Sequence, residues 1–403
     1  VIATAFLLLA GVSAAVSALL AYWQRRALRK QGMAIPSDDL PAVSILKPLK
    51  GHDPGLEENL RSFYEQRYPK FEIVYSFASR EDSAYPVARR VADAHPQIES
   101  TFVFEGRECG SNPKVSRLIP ALARARHRHV LISDGDVRIG LDDLAKTAAE
   151  FSRPGVGLVS NLVCGNGAAD LGARLETLHL NGFLMAGTAL VAGLLRRPCV
   201  FGKSILVSRE ALDWAGGLDG LKDFLAEDFL LGEAVARAGF EVVLSARVVR
   251  AFSVRKSVRG FWNRQVRWAR MRSRLAGAGY FCEALASPLP WALAALAAGS
   301  SRPLVVVAAA ALAVGKLFLD VLALRRLGCR PCVVDVACLP LKDLLAFGVF
   351  WAGLASRRTN WRGRPMTIGR RTLLEYSEKL QSPRRFLTPV RHPLLAFRLP
   401  SRF

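Results

Sequence analysis

Acidic side chains are in short supply. The 403-residue chain carries 34 Asp and Glu against 56 Lys and Arg, a formal net charge of +22. A balance so far from zero excludes an electrostatically indifferent surface. It calls for an anionic partner: nucleic acid, a lipid headgroup or a phosphorylated substrate. Cysteine is also sparse, with seven in the whole chain. That excludes a disulfide scaffold and reads as the reduced thiols of a cytosol-facing protein. Cys329 and Cys332 form a C-x-x-C with no second pair, which argues against zinc. His52, His95, His127, His129 and His179 show no ligand spacing and read as surface or core residues. No internal repeat or low-complexity linker appears. What remains is apolar: 51% of residues are hydrophobic and 22% charged, which moves the chain toward membrane proteins.

The apolar excess is segregated. Residues 2–23 contain no charge and end in Tyr22 and Trp23, followed by Arg25, Arg26, Arg29 and Lys30. About 20 apolar residues cross a bilayer core, and basic residues beside a span mark the cytoplasmic side. Residues 1–24 are therefore expected to be a transmembrane anchor, not a cleaved signal peptide. Residues 276–355 turn apolar again, in segments 281–299, 303–324 and 332–355, and are expected to form transmembrane or interfacial helices. Within them, Lys316 and Asp320 lie one helical turn apart and are expected to pair. Residues 175–195 are nearly span-length but carry Glu176, His179 and Asn181, which favours a buried or membrane-surface helix. Residues 356–403 hold twelve basic residues and two acids, Glu375 and Glu378, and read as a basic cytosolic tail.

Between the spans, residues 25–275 alternate short apolar runs with polar helical stretches. AVSILKPL, FEIVYSF, STFVFE, HVLISDGD, GVGLVSNLV and EVVLS are candidate strands; 84–94 and 142–151 are candidate helices. That alternation predicts an α/β layered sheet. Ligands of such sheets bind beyond the carboxyl ends of the strands.

The chemistry-bearing residues follow the strands. Asp134 and Asp136, in S-D-G-D directly after HVLI, are one residue apart and can reach one hard divalent cation, Mg²⁺ or Mn²⁺, with substrate phosphates as further ligands. Alone, the same motif is ordinary turn chemistry. A-E-D-F at 226–229 opens a helical stretch; Asp228 is a candidate general base and Glu227 a residue that positions it. Alone, it is N-terminal helix chemistry. Q-V-R-W at 265–268 lies in a run, 247–274, with ten basic residues and no acid. Arg267 suits a phosphate grip and Trp268 a flat ring or lipid face. Part of that charge is expected on anionic lipid. S-I-L-K-P-L-K-G at 44–51 places Lys50 on a loop, and N-P-K at 112–114 places Lys114 on a loop near a diphosphate.

The order K-P-L-K-G, N-P-K, S-D-G-D, A-E-D-F, Q-x-x-R-W, with a membrane region after it, resembles the lipid and processive glycosyltransferases of the GT-A type. V-S-I-L-K-P-L-K-G-H-D-P at 43–54, G-K-S-I-L-V-S-R-E-A-L at 202–212 and A-G-G-L at 215–218 carry the resemblance to glycosyltransferase family 21, the ceramide glucosyltransferases, over roughly residues 40–275. It implies a GT-A domain with a mixed, mostly parallel sheet flanked by helices. It implies inverting transfer of glucose from UDP-glucose to the primary hydroxyl of ceramide or a similar long-chain lipid. A divalent metal assists, and the catalytic domain faces the cytosol. Ala, Arg and Leu richness points to a GC-rich bacterial genome, and the membrane is then expected to be a bacterial inner membrane. By the same resemblance Asp134 sits at the nucleotide sugar and metal, Asp228 is the base, and Gln265, Arg267 and Trp268 form the last motif. The family's first aspartate falls near Ser79, so Asp82, or Glu81, stands in at the uracil end. Ser160 replaces the histidine of the animal enzymes. Two other acceptor readings remain beside ceramide: N-acetylglucosamine transfer to a hopanoid, and polysaccharide synthesis. Nucleic-acid binding is the distant alternative, and aromatic-rich RNA motifs are absent.

Overall fold

The computed structural model describes residues 1–29, 40–361 and 364–376. An eight-stranded sheet organises the chain. Its strands are β1 (Val43–Pro48), β2 (Phe71–Phe77), β3 (Ser100–Phe104), β4 (His129–Ser133), β5 (Val137–Arg138), β6 (Val156–Asn166), β7 (Ser204–Ser208) and β8 (Glu241–Phe252), in the order β3-β2-β1-β4-β7-β6-β8-β5. β1 pairs in parallel with β2 and β4, β2 with β3, and β6 with β8. β7 runs antiparallel to β4 and β6, and β5 to β8. The sheet is thus mixed and mostly parallel.

Its central strands are continuous apolar runs because both faces are covered. Side chains alternate: Ile45, Ile73 and Leu131 enter one core, and Leu46, Val74, Val130 and Ile132 the other. The first core is closed by α2 (Leu56–Tyr64), α3 (Tyr85–Asp93) and α5 (Asp143–Ala148). The second is closed by α4 (Pro113–Arg124), α8 (Arg209–Trp214) and α9 (Glu227–Arg237).

Asn112-Pro113-Lys114 is a helix start, not a loop. Asn112 Oδ1 accepts from the backbone N–H of Lys114 at 2.9 Å and Val115 at 3.2 Å, and Pro113 occupies the first turn, where its missing N–H costs nothing. Lys114 therefore projects from the first turn of α4.

Residues 171–193 form one nearly continuous helical stretch: α6 (Leu171–His179), a π-helical turn at Leu180–Leu184, and α7 (Met185–Gly193). It is among the helices packed against the sheet and is not long and apolar enough to count as a span. α10 (Val258–Ala276) follows the sheet. Its Phe261 packs with Leu175 and Leu178 of α6, and its Val266 and Ala269 pack with Val349 and Phe350 of α13 (Val333–Ala355). Among the described residues two helices are long and apolar enough to cross a membrane: α1 (Ile2–Arg29) and α12 (Pro303–Arg326). A bent pair, 258–285 followed by α11 (Leu289–Gly299) at 53°, is a third possibility by length and composition. α13 carries Pro340, Lys342 and Asp343 and is not one of them.

Residues 358–376, expected as the head of a free basic tail, instead fold back as a three-stranded sheet, β9 (Arg358–Trp361), β10 (Arg364–Ile368) and β11 (Leu374–Tyr376). Met366, Ile368 and Leu374 bury against Leu225. The rest of the expected tail, 377–403, lies outside the described residues. Three of the ten basic residues of 247–274 are likewise paired within the protein: Lys256 and Arg264 with buried Glu176, and Arg272 forked onto Glu283.

Candidate functional site

The acids at the end of β4 and the start of α9 converge, although 93 residues lie between Asp134 and Asp228. Lys114 is the link: its Nζ lies 3.0 Å from Asp134 Oδ1 and 3.1 Å from Glu227 Oε1, and donates to the Gly202 carbonyl at 2.9 Å. Asn112 ties the same elements together, donating to Glu227 Oε2 at 3.1 Å and to the Phe224 carbonyl at 2.7 Å. Lys203, buried just before β7, reaches Asp136 Oδ1 at 2.6 Å and Asp134 Oδ2 at 3.4 Å. Lys47, fully buried on β1, donates to Ser133 Oγ at 3.2 Å and the Asp134 carbonyl at 3.0 Å.

Residues 201–203 are the hub. Phe201 meets the ring of Trp268 edge-on, with centroids 6.2 Å apart. Gly202 faces Asp228 so closely that an added Cβ would stand 2.6 Å from Asp228 Oδ2, which only glycine permits. Lys203 holds the acid pair. Ser160 Oγ accepts from the Phe201 N–H at 3.0 Å and so props the hub from β6.

The charges sort the acids into two kinds. Burial alone would raise the Asp134 carboxyl, but the Lys114 and Lys203 ammonium groups outweigh it and hold Asp134 well below the usual carboxylate range. Burial would lower Lys114, but Asp134, Glu227 and Asp228 outweigh it and push it up. Asp228 goes the other way. Burial and the adjacent Glu227 charge push it up to about 7, against Lys114 and the Phe229 and Gly202 backbone N–H groups. Burial pulls Lys47 well below the usual amine range, partly offset by Asp134 and Asp136. One fixed anion beside one carboxylate poised near neutrality is the arrangement that separates electrostatic from base duties.

Gln265 is 1% exposed, and neither atom of its carboxamide has a hydrogen-bond partner among the described residues. A buried amide in that state lacks a polar partner. Arg267 is half-buried on the same helix. Trp268 also carries the Arg264 guanidinium over its ring at 4.7 Å. Asp82 accepts from the Gly51 N–H at 2.8 Å and the Ala84 N–H at 3.0 Å, joining the loop after β1 to the loop after β2. Lys50 is exposed on the first of these loops. The lysine of K-P-L-K-G that meets the acids is thus Lys47. Lys50 and Asp82 stand at the same carboxyl end of the sheet, on the loops after β1, which neighbours β4, and β2, one strand further out.

Asp134 and Asp136 fit a hard divalent cation as a two-carboxylate share, the remainder being waters and phosphate oxygens. Among the described residues no group of three or more His, Cys, Asp or Glu could hold an ion. The Lys203 ammonium bridges the same two carboxylates.

Three residues were not singled out by sequence reasoning. Lys203 and Gly202 lie inside G-K-S-I-L, whose motif status was the available signal. Thr372 had no signal. Its Oγ1 accepts from the Ala226 N–H at 3.1 Å and its carbonyl from the Leu225 N–H at 2.9 Å, so the folded-back sheet braces the residues just before Glu227.

A mixed α/β sheet with strand-end acids and this order of motifs defines a GT-A glycosyltransferase domain. The backbone is similar over 87% of this chain, and 99% of the other, to a mannosyltransferase from Pyrobaculum calidifontis solved with GDP-Man and Mn²⁺; the TM-score is 0.57 and the identity 22%. The family pattern of glycosyl transferase family 21 matches residues 6–374, and the chain belongs to that family. Among curated relatives, ceramide glucosyltransferase 1 of Caenorhabditis elegans is 34% identical over 240 residues, 59% of this chain and 51% of that protein. The ceramide glucosyltransferase of Komagataella phaffii is 27% identical over 235 residues, 50% of this chain and 45% of that protein. The chain thus spans about half the length of the curated relatives it matches.

Proposed function

We propose that the chain is a membrane-bound inverting glycosyltransferase that moves glucose from UDP-glucose to the primary hydroxyl of ceramide or a similar long-chain lipid. The observation that carries this reading is the Lys114 bridge between Asp134 and Glu227, with Asp228 beside it and raised toward neutrality. Family membership and the ceramide glucosyltransferase relatives support the lipid acceptor and the sugar. Arg25, Arg26 and Arg29 at the end of α1 support a catalytic domain on the cytosolic side.

In this mechanism Asp228 takes the proton of the acceptor hydroxyl as its oxygen attacks the anomeric carbon from the face opposite the leaving UDP. Glu227 keeps Asp228 basic by like charge, and Gly202 leaves the carboxylate room. Lys114 and Lys203 hold Asp134 ionised and present ammonium groups where diphosphate charge grows, as preorganised donors. Arg267 and the Gln265 carboxamide add donors to that diphosphate from α10, and Trp268 closes the wall beside Phe201. Asp82 and Lys50 sit at the nucleotide end. When bound, a divalent cation shared by Asp134 and Asp136 supplies further positive charge to the diphosphate.

The test is incubation of the purified membrane protein with UDP-[¹⁴C]glucose and ceramide in mixed micelles, with the product's anomeric configuration read by NMR. A β-glucosyl lipid, absent with Asp228→Asn, is expected. An α-linked product, or undiminished transfer by Asp228→Asn, refutes the base assignment.

A further inference from the structure

A cavity of about 70 Å³ lies between α1, the π-helical turn after α6, the end of α10, α12 and α13. Its walls are of two kinds. Leu20, Ala21, Ala186 and Phe347 supply apolar surface, while six charged side chains form a polar floor. Lys316 Nζ lies 3.0 Å from Asp343 Oδ2. Lys342 Nζ lies 2.8 Å from Asp343 Oδ1 and 3.2 Å from Asp320 Oδ2. Arg272 forks onto Glu283 at 2.6 and 3.0 Å. Three cations meet three anions, so the floor has no charge left to offer a phosphate. Each ion pair is already matched, which suits a ligand that is polar and uncharged.

One group on this wall is unmatched. His179 is 2% exposed, it lines the cavity, and neither ring nitrogen has a hydrogen-bond partner among the described residues. Burial, with Arg272 and Lys342 adding to it, lowers its pKa well below the ordinary value, so the ring is neutral. A neutral imidazole offers one donor and one acceptor. A hydroxyl or an amide complements that pair, and a buried group left without a partner is destabilising. The π-helical turn that begins one residue later is an irregularity that recurs at functional sites. The volume admits about five waters, room for an amide and one or two hydroxyls.

The cavity wall shares a core with the hub beside the acids. Phe183, on its wall, stands 5.2 Å from the His179 ring and packs in the same core as Phe201 and Trp268. Phe201 precedes Gly202, which touches Asp228. Arg272 lies one helical turn beyond Trp268 on α10.

We propose that this cavity seats the amide end of the acceptor lipid's uncharged polar head, hydrogen-bonded to His179, with its chains along the apolar walls and its reacting primary hydroxyl directed out of the cavity toward Asp228. The assignment rests on the lipid-transferase reading above and adds the location and chemistry of the acceptor site.

The experiment uses the full chain in phosphatidylcholine nanodiscs with a diazirine-bearing ceramide, and maps crosslinks by peptide mass spectrometry. Labelling is expected on peptides containing residues 179–186 and 342–350. A diazirine phosphatidylcholine should label them at least fivefold less. His179→Leu, and Ala186→Phe, which fills the space, should each cut that labelling about tenfold. Both should raise KM for the lipid while leaving KM for UDP-glucose within twofold and the melting temperature near the parent's. Asp228→Asn should abolish transfer yet keep the labelling. Ceramide labelling that is spread evenly over the membrane helices, matched by the phosphatidylcholine probe, or unaffected by both cavity variants overturns the assignment. Transfer to ceramide with no cavity labelling sinks this site alone. Cavity labelling with no glucosyl transfer sinks the catalytic reading alone.

Discussion

The sharpest consequence of the acid geometry is a pH profile. Asp228 stands at about 7 where an ordinary Asp stands at 3.8. A base is active when deprotonated, so kcat/KM for the acceptor should climb with pH and level off above neutrality. With an inflection at about 7, roughly 10% of the base is ionised at about pH 6 and roughly 90% at about pH 8, a tenfold loss per unit on the acid side. An unshifted carboxyl would give a flat profile over the same range. The neighbours make the test directional. Glu227 pushes the Asp228 pKa up and Lys114 pulls it down. Glu227→Gln should therefore move the inflection to lower pH, and Lys114→Met to higher pH, each by about 1 unit or more, the usual effect of a charge at this range. The assay is initial-rate kinetics from pH 5 to 9 at subsaturating ceramide in constant-ionic-strength buffers. A flat profile, or two substitutions that shift the inflection the same way, would refute the argument.

Four further outcomes follow from the same contacts. Because its folded pKa exceeds its unfolded value, Asp228 binds more protons in the folded state, and its ionisation erodes stability as pH rises from about 4 to about 7. Asp228→Asn should then melt higher than the parent at pH 8 by differential scanning fluorimetry, with the gap closing near pH 4. Dialysis against EDTA should lower turnover at least tenfold, with Mn²⁺ or Mg²⁺ restoring it; full activity after chelation would leave Lys203 as the cation that serves Asp134 and Asp136. Gly202→Ala puts a methyl 2.6 Å from Asp228 Oδ2 and should cost about 10²-fold in kcat, the scale of a misplaced catalytic group, with the fold intact by circular dichroism. Thr372→Val removes the acceptor for the Ala226 N–H and should cost about 1 kcal/mol of stability, read by chemical denaturation.

Strand runs were legible because burial on both faces of a central strand leaves little but apolar residues. FEIVYSF is β2 residue for residue, and HVLIS is β4. The acids at 134, 136 and 228 were legible because strand ends and helix starts are where such sheets do chemistry. Asn112-Pro113 carried a helix-start signal, a cap followed by a first-turn proline, that the loop reading passed over. Lys47 and Lys50 are indistinguishable in K-P-L-K-G until strand register decides which lysine is buried. Lys203 is different in kind: its contact with Asp136 closes across 67 residues and two strands, and no local pattern encodes it. The fold-back of 358–376 was hidden by its own arginines. Basic composition reads as a solvated tail, yet Met366, Ile368 and Leu374 supply a buried face at strand spacing.

α10 makes the site and α13 one mechanical unit. Trp268 meets Phe201 of the hub, while Val266 and Ala269 pack against α13. Gly353 of α13 has no room for a Cβ, since one would lie 2.5 Å from the Tyr280 hydroxyl and 2.8 Å from Ala269. Gly353→Val should thus force α10 and α13 apart while touching no residue of the acid cluster. If the two regions act together, transfer falls in that variant while UDP binding, measured by calorimetry, weakens through Gln265 and Arg267. Transfer and UDP affinity both at parental values, with the helices shown displaced by crosslinking of introduced cysteine pairs, would mean that the catalytic sheet works independently of the helices beneath it.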